Sequence, residues 1–196
     1  MLATLVLASG LPALAQESPW LVRFRAVHID PHESSDPLFG VGPADQITLS
    51  RKTLPEIDVS YFFTPNIAAE FLFAMKQKHT MYFSGTSVGT FKHLAPTLTL
   101  QYHFMPAATF SPYLGAGINY TKISNVQLVG GAGDLDNQSV GLALQAGLDF
   151  KFDKHWSLNL DLKKIKMQSD IYLTGAKVSR VHADPLLFAV GVGYRF

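Results

Sequence analysis

Arg23 and Arg25, Glu70, Gln101 and His103, Asp149, Asp161 and Arg195 are charged or hydrogen-bonding side chains that each stand between two apolar neighbours. Arg23 and Arg25 are two residues apart, as are Gln101 and His103, and in an extended chain that spacing puts both members on one face. Guanidinium groups that meet carboxylates in an enclosed space form charge-assisted, often bidentate pairs. The chemistry this set calls for is mutual neutralisation, a polar floor, with no proton or group transfer required of it. A second set occupies the other ends of the same segments: Val27, Ile29, Leu72, Ala74, Ala95, Ala143, Ile165, Met167 and Leu187. It forms a mostly apolar lining, better suited to a small hydrophobe than to water.

Other constellations carry less. His28, Asp30, His32, Glu33 and Asp36 crowd one stretch but match no metal-ligand spacing and read as a solvated loop. His93 and His103 share a strand face but are too far apart to hold one ion. Met75, Met81 and Met167 fill irregular apolar space more readily than they bind a cofactor. Gly130-Gly131-Ala132-Gly133 lacks the strand and helix context of a phosphate loop and is expected to be a flexible loop tip. Ser139, His93 and Asp184 approach one rim from separate segments, without a nucleophile elbow or an oxyanion signature. The sequence assigns no catalytic residue, metal or cofactor.

The elements that must position the two main sets are strands. Eight alternating segments are expected at about 20–29, 56–63, 67–76, 93–104, 113–123, 139–150, 156–167 and 185–196. In the first, Val22, Phe24 and Ala26 face one way and Arg23, Arg25, Val27 and Ile29 the other. In the second, Glu56, Asp58 and Ser60 join the polar side, and Gln145, Asn159 and Lys163 do so later. The last segment shows the contrast best. Leu186, Phe188, Val190, Val192, Tyr194 and Phe196 make a large apolar face, while Leu187, Ala189, Gly191, Gly193 and Arg195 make a mostly small one. A strand with hydrocarbon outside and a narrow lumen inside has this pattern.

Connections alternate between short, as at Thr64-Pro65-Asn66, and long, at 30–55, 77–92, 124–138 and 168–184. Trp20, Phe62, Phe63, Phe104, Phe110, Tyr113, Phe150, Phe152, Trp156, Tyr194 and Phe196 cluster at the short-turn ends, where an interfacial girdle belongs. The expected fold is all-β, an eight-stranded antiparallel transmembrane β-barrel with short periplasmic turns and long extracellular loops. Its expected place is the outer membrane of a Gram-negative bacterium.

Composition agrees. A chain of 196 residues with net charge +1 has no basic stripe for phosphates, which argues against a nucleic-acid partner. It has no cysteine, so disulfide and thiol chemistry are excluded. No apolar run reaches the length of a membrane helix, so a membrane location requires a closed barrel. Residues 1–15 are apolar and end in Ala13-Leu14-Ala15, a small-x-small site. They are expected to be the remnant of a signal peptide, with 16–196 as a single transmembrane barrel domain.

Lys92-His93-Leu94-Ala95-Pro96-Thr97-Leu98-Thr99-Leu100-Gln101-Tyr102-His103-Phe104 and Ser111-Pro112-Tyr113-Leu114-Gly115-Ala116-Gly117-Ile118-Asn119-Tyr120-Thr121 resemble the OmpW family of small outer-membrane proteins. So do Thr64-Pro65-Asn66-Ile67-Ala68-Ala69-Glu70 and the stretch from Asp184-Pro185 to Gly193-Tyr194-Arg195-Phe196. One departure is Ala95, where the family usually has a second proline before Pro96. The resemblance implies an eight-stranded barrel with a hydrophobic channel, associated with uptake of small hydrophobic molecules. One relative in that family assists the passage of alkanes.

An apolar cup above a charged floor disfavours axial passage of a hydrophobe, which would have to displace the floor's charged groups from their partners. The expectation is capture in the cup and lateral release through a break in the strand ladder near Pro96, which lacks an amide donor. The alternative is that both layers only pack the barrel. Tyr194 and Phe196 are expected to form the signal read by the barrel-assembly machinery. Expected partners are that machinery, outer-membrane lipid and small hydrophobic solutes. Two other functions compete: a receptor, adhesion or structural barrel with a packed lumen, and a rim enzyme.

Overall fold

The computed structural model describes residues 18–73 and 75–196. The strands, in chain order, are β1 (Trp20–Asp30), β2 (Glu33–Ser35), β3 (Ile47–Leu49), β4 (Lys52–Phe62), β5 (Ile67–Phe73), β6 (Gln77–Phe83), β7 (Thr86–Leu94) and β8 (Thr97–His103). They continue as β9 (Phe110–Leu128), β10 (Gly133–Leu135), β11 (Gln138–Lys151), β12 (Trp156–Ile165), β13 (Gln168–Leu173), β14 (Ala176–Ala183) and β15 (Leu186–Arg195). Eight of them close a ring of antiparallel neighbours, β1-β4-β5-β8-β9-β11-β12-β15, with β15 paired back to β1. Closure leaves no exposed edge within the membrane.

Period-two alternation sets the faces. Along β1 exposure alternates strictly from Leu21, with Arg23, Arg25, Val27 and Ile29 buried and Phe24, Ala26 and His28 exposed. Register decides what meets inside. Arg23 lies opposite Asp58 on β4 and opposite Gly193 on β15, and Arg25 lies opposite Glu56 and Gly191. The acid neutralises each arginine while the glycine makes room for it. A Cβ on Gly191 would come within 2.1 Å of the Phe24 carbonyl oxygen and 2.7 Å of Arg25 Cγ. The small inner face of β15 is therefore the counterpart of long side chains on β1.

At the short-turn end, aromatic rings form a chain of edge contacts around the outside: Trp20 with Tyr61, Tyr61 with Phe63, Tyr102 with Phe104, Trp156 with Tyr194, and Tyr194 with Phe196. Two residues expected in this girdle belong inside. Phe62 is buried against Leu21 and Ala68, and Tyr113 is buried in the lumen. Clustering at strand ends locates a height, and strand parity alone decides the face.

The long extracellular connections carry strands of their own, which the sequence reading does not resolve. Strands β2, β3, β6, β7, β10, β13 and β14 and the upper half of β9 build a crown above the barrel. Its pairing runs β3-β6-β7-β9-β10-β13-β14-β2. The hairpin tips carry left-handed pairs, Ser84 (φ 48°) with Gly85 (φ 80°) and Thr174 (φ 48°) with Gly175 (φ 84°), the geometry that matches strand twist in two-residue turns. Ile47, Met81, Phe91, Ile123, Leu128, Leu135, Ile171, Val178 and Val181 fill the crown with an apolar core of its own. Register shifts at Met81/Tyr82, Thr90/Lys92 and Ile171/Tyr172 break the alternation that would have marked these strands. The glycine-rich stretch contributes a short 3-10 turn, Val129–Gly131, and Gly133 begins β10.

Residues 1–15, expected to be a signal remnant, lie outside the described residues.

Candidate lumen site

The lower lumen is an ion-paired plug. Arg23 reaches Asp149 with Nε to Oδ1 at 3.3 Å and Nη2 to Oδ2 at 2.8 Å, and its Nη1 donates to Ser60 Oγ at 2.9 Å and Glu70 Oε2 at 3.3 Å. Arg25 lies 2.7 Å from Glu56 and 2.8 Å from Asp58, and donates to Asn159 Oδ1 at 3.1 Å. Lys163 Nζ donates to Glu70 Oε1 at 3.0 Å. Gln101 and Gln145 both donate to Glu70, at 2.9 and 3.0 Å, and Tyr113 OH and Gln145 each donate to Asp161 Oδ2 at 2.6 Å. Five strands and more converge here, so the plug is fastened to the wall on all sides. Its arginines are sealed from solvent, with Arg23 at 0% and Arg25 at 1% exposure.

Of the residues assigned to the floor, Arg23, Arg25, Glu70, Gln101, Asp149 and Asp161 come together in this network. His103 joins its lower side, 3.3 Å from Gln101 Oε1 and packed between Phe62 and Tyr113. Arg195 lies below the plug, opposite Leu21 on β1. It sits at the periplasmic mouth, with Nε donating to the Ser18 carbonyl at 2.9 Å and the guanidinium 4.3 Å from the Phe62 ring centroid. The network also takes in Glu56, Asp58 and Lys163, which parity puts inward without assigning them to the floor, and Tyr113, which the girdle pattern placed outside.

Above the plug lies a cavity of about 1060 Å³ of space free of protein atoms, its open mouth included. Val27, Ile29, Leu72, Ala95, Ile165, Met167 and Leu187 line it. Ala143 packs beneath it with Val27, Ile29, Ile165 and Leu187 and does not line it. Ala74 lies outside the described residues. Met81, Phe91, Ile123, Leu135 and Val181 of the crown core form the roof. The cavity therefore lies between two apolar layers, over charges already consumed by one another.

The wall thins beside this cavity. Among the described residues, the last pair of β4 with β5 is Ile57 with Phe73, and the last of β5 with β8 is Leu72 with Thr97. Pro55 and Pro96, neither of which has an amide donor, stand beyond these last pairs. On its other side Pro96 is sewn in, its carbonyl accepting from Tyr120 N at 3.0 Å. Pro96 does not line the cavity; the outward-facing Pro55, Phe73 and Met75 do, and each is exposed. The cavity thus reaches the outer surface around the upper end of β5, displaced from the β8–β9 side. Lys52 Nζ donates to the Lys78 carbonyl across the top of the thinned wall.

The remaining candidates are dispersed. His28 bonds Thr53 at 2.9 Å, Asp30 pairs with Arg51 at 2.5 Å, and Glu33 accepts from Leu49 N at 2.6 Å. Ser139 accepts from Gln168 N, Asp184 from Met167 N, and His93 stacks on His79. The three do not form a relay.

The sequence profile of the OmpW family matches residues 16–196. An outer-membrane protein of Sinorhizobium fredii named y4mB and described as uncharacterized is 41% identical over 201 residues, covering 99% of this chain and 84% of its own. Outer membrane protein W of Vibrio cholerae is 32% identical, covering 100% of this chain and 97% of its own. The crystal structure of the outer membrane protein OprG from Pseudomonas aeruginosa superposes with a TM-score of 0.78 at 25% identity, covering 92% of this chain and 97% of that one. With its closed eight-stranded ring and external girdle, the chain belongs to the OmpW family of bacterial outer-membrane β-barrels.

Proposed function

We propose that this barrel is a passive uptake channel for small hydrophobic molecules, which it captures in the apolar cup and releases sideways into the bilayer. The observation that carries the reading is a cavity with a mostly apolar lining, a floor of paired charges and exposed lining residues Pro55, Phe73 and Met75 at its side. A hydrophobe gains by leaving water for the cup, on the order of 25 cal/mol for each Å² of apolar surface buried. Downward movement would require it to displace ion pairs in a dry lumen, which is far costlier than sideways movement into hydrocarbon. The unfilled cup counts against a receptor, adhesion or structural barrel whose lumen is simply packed.

Uptake of a panel of small apolar solutes into proteoliposomes or whole cells tests this. Leu72→Arg or Leu187→Asp puts a charge on the cup wall, and each is expected to reduce uptake severalfold while the barrel remains folded and heat-modifiable. Uptake unchanged in both variants overturns the role of the cup.

A further inference from the structure

The cup is not uniformly apolar. Gln77, His79 and His93 stand in its lining on the side of β6 and β7. His79 is 2% exposed, and its ring lies 4.8 Å from that of His93 and 5.9 Å from that of Phe91, with interplanar angles of 26° and 23°. Three flat rings are therefore packed together in one wall of the cavity, His79 roughly parallel to each of the other two.

The hydrogen bonding of His79 fixes what its ring can accept. Nδ1 lies 3.0 Å from the carbonyl oxygen of Ser50. A carbonyl oxygen only accepts, so Nδ1 carries the hydrogen. Burial holds the imidazole's pKa down, to about 4, so the ring is neutral at neutral pH. Nε2 is then a bare lone pair on the opposite side of the ring, and among the described residues it has no hydrogen-bond partner. Gln77 Oε1 is likewise buried without a partner. An unpaired acceptor in the wall of an apolar cavity rewards a ligand that brings a donor to it, and a pure hydrocarbon leaves it unpaired.

We propose that the cup selects flat aromatic molecules bearing a hydroxyl group, with the ring held among the apolar side chains of the cup and the O–H donated, in the plane of the imidazole, to His79 Nε2. The inference rests on the uptake reading above and narrows its substrate class. A ketone or an ether of the same size offers only acceptors and gains nothing at Nε2.

The test compares 2-naphthol with naphthalene, measuring uptake and equilibrium binding by the native protein, His79→Leu and His79→Gln in the same lipid, so that membrane partitioning cancels. Loss of one neutral hydrogen bond corresponds to roughly a fivefold drop. His79→Leu is expected to lower the ratio of 2-naphthol to naphthalene binding by about that factor, while His79→Gln, which keeps an acceptor, restores much of the preference. In the native protein the ¹⁵N resonance of His79 Nε2 is expected to move with 2-naphthol and stay in place with naphthalene; this readout needs no variant to fold. An equal naphthol-to-naphthalene ratio in native protein and His79→Leu, or an Nε2 resonance indifferent to 2-naphthol, overturns the proposal and leaves hydrophobic uptake standing. Failure to take up either solute overturns the uptake reading itself.

Discussion

Arg23 and Asp149, 126 residues apart in the chain, are held face to face across the barrel floor by two roughly parallel hydrogen bonds of 3.3 and 2.8 Å. Fork-to-fork pairing of this kind fixes orientation as well as charge. Because Arg23 also serves Ser60, Glu70 and Asp58, its removal leaves three carboxylates short of a cation in a dry lumen. Arg23→Met is expected to destabilise the folded barrel by about 3–5 kcal/mol, the range for breaking a buried pair from one side. The double change Arg23→Met with Asp149→Leu is expected to cost less than the two single changes together, since it removes both members of the pair. Urea midpoints of protein refolded in liposomes measure both.

The thinned wall makes a separable prediction. If solute leaves between β4 and the upper end of β5, tying the two sides together closes the outlet and leaves the inward-facing lining of the cup in place. Pro55→Cys with Met75→Cys, bridged by a short bismaleimide, is expected to reduce transfer into the bilayer severalfold while binding in the cup persists. The reagent attached to either single cysteine variant serves as the control. Unimpaired transfer in a protein shown by mobility to be bridged would place the outlet elsewhere.

How far the sequence announces this arrangement depends on whether period two survives locally. On β1, β5 and β15 it is unbroken, and the parity of Arg23, Glu70 or Leu187 alone gives the correct face. In the crown a bulge after Met81 and another after Ile171 reverse the parity partway along each hairpin, so the strands read as loops and their shared core is invisible. Height within the lumen is legible from distance to the short turns, which sorts Arg25 below Val27. Pairing is not, because Arg23 meets Asp149 only through the order in which eight strands close. Pro55 is hidden for a related reason: it sits within β4, yet a proline beside a long polar stretch marks a strand's end when only neighbours in sequence are considered.

Tyr194 and Phe196 carry a prediction about assembly. Their rings meet edge to face at 5.1 Å, and Phe196 N–H donates to the Trp20 carbonyl at 3.3 Å, next to the seam where β15 closes on β1. An exposed aromatic pair at the closing strand is well placed for recognition by assembly machinery and for anchoring at the interface. Phe196→Ala is expected to lower the yield of heat-modifiable protein in cells severalfold. In-vitro refolding into liposomes, where no machinery takes part, is expected to change much less. Equal losses in the two settings would assign the ring to interfacial anchoring alone.

Asp170 ties the outer hairpin of the crown to itself. Its Oδ1 accepts from Arg180 Nε at 2.5 Å and its Oδ2 from Arg180 Nη2 at 3.1 Å and Lys177 Nζ at 2.6 Å, across the β13–β14 pair. The hydrogen bonds from Arg180, with those from Lys177, hold its carboxyl below the usual range, at about 2. A carboxyl whose folded value is depressed stabilises the fold fully above its ordinary value near ~3.9, and that contribution disappears as pH falls towards about 2. Both cationic partners are more than a third exposed, so solvent screens the cluster and its effect stays local. Amide hydrogen exchange in β13 and β14 is therefore expected to quicken between pH 4 and pH 2, after correction for intrinsic rates, while the strands of the barrel stay protected. Asp170→Asn is expected to give the quicker exchange at neutral pH and to remove its dependence on acid. Hairpin exchange that is identical in the native protein and in Asp170→Asn would show that the crown's apolar core, and not this cluster, holds β13 and β14 in place.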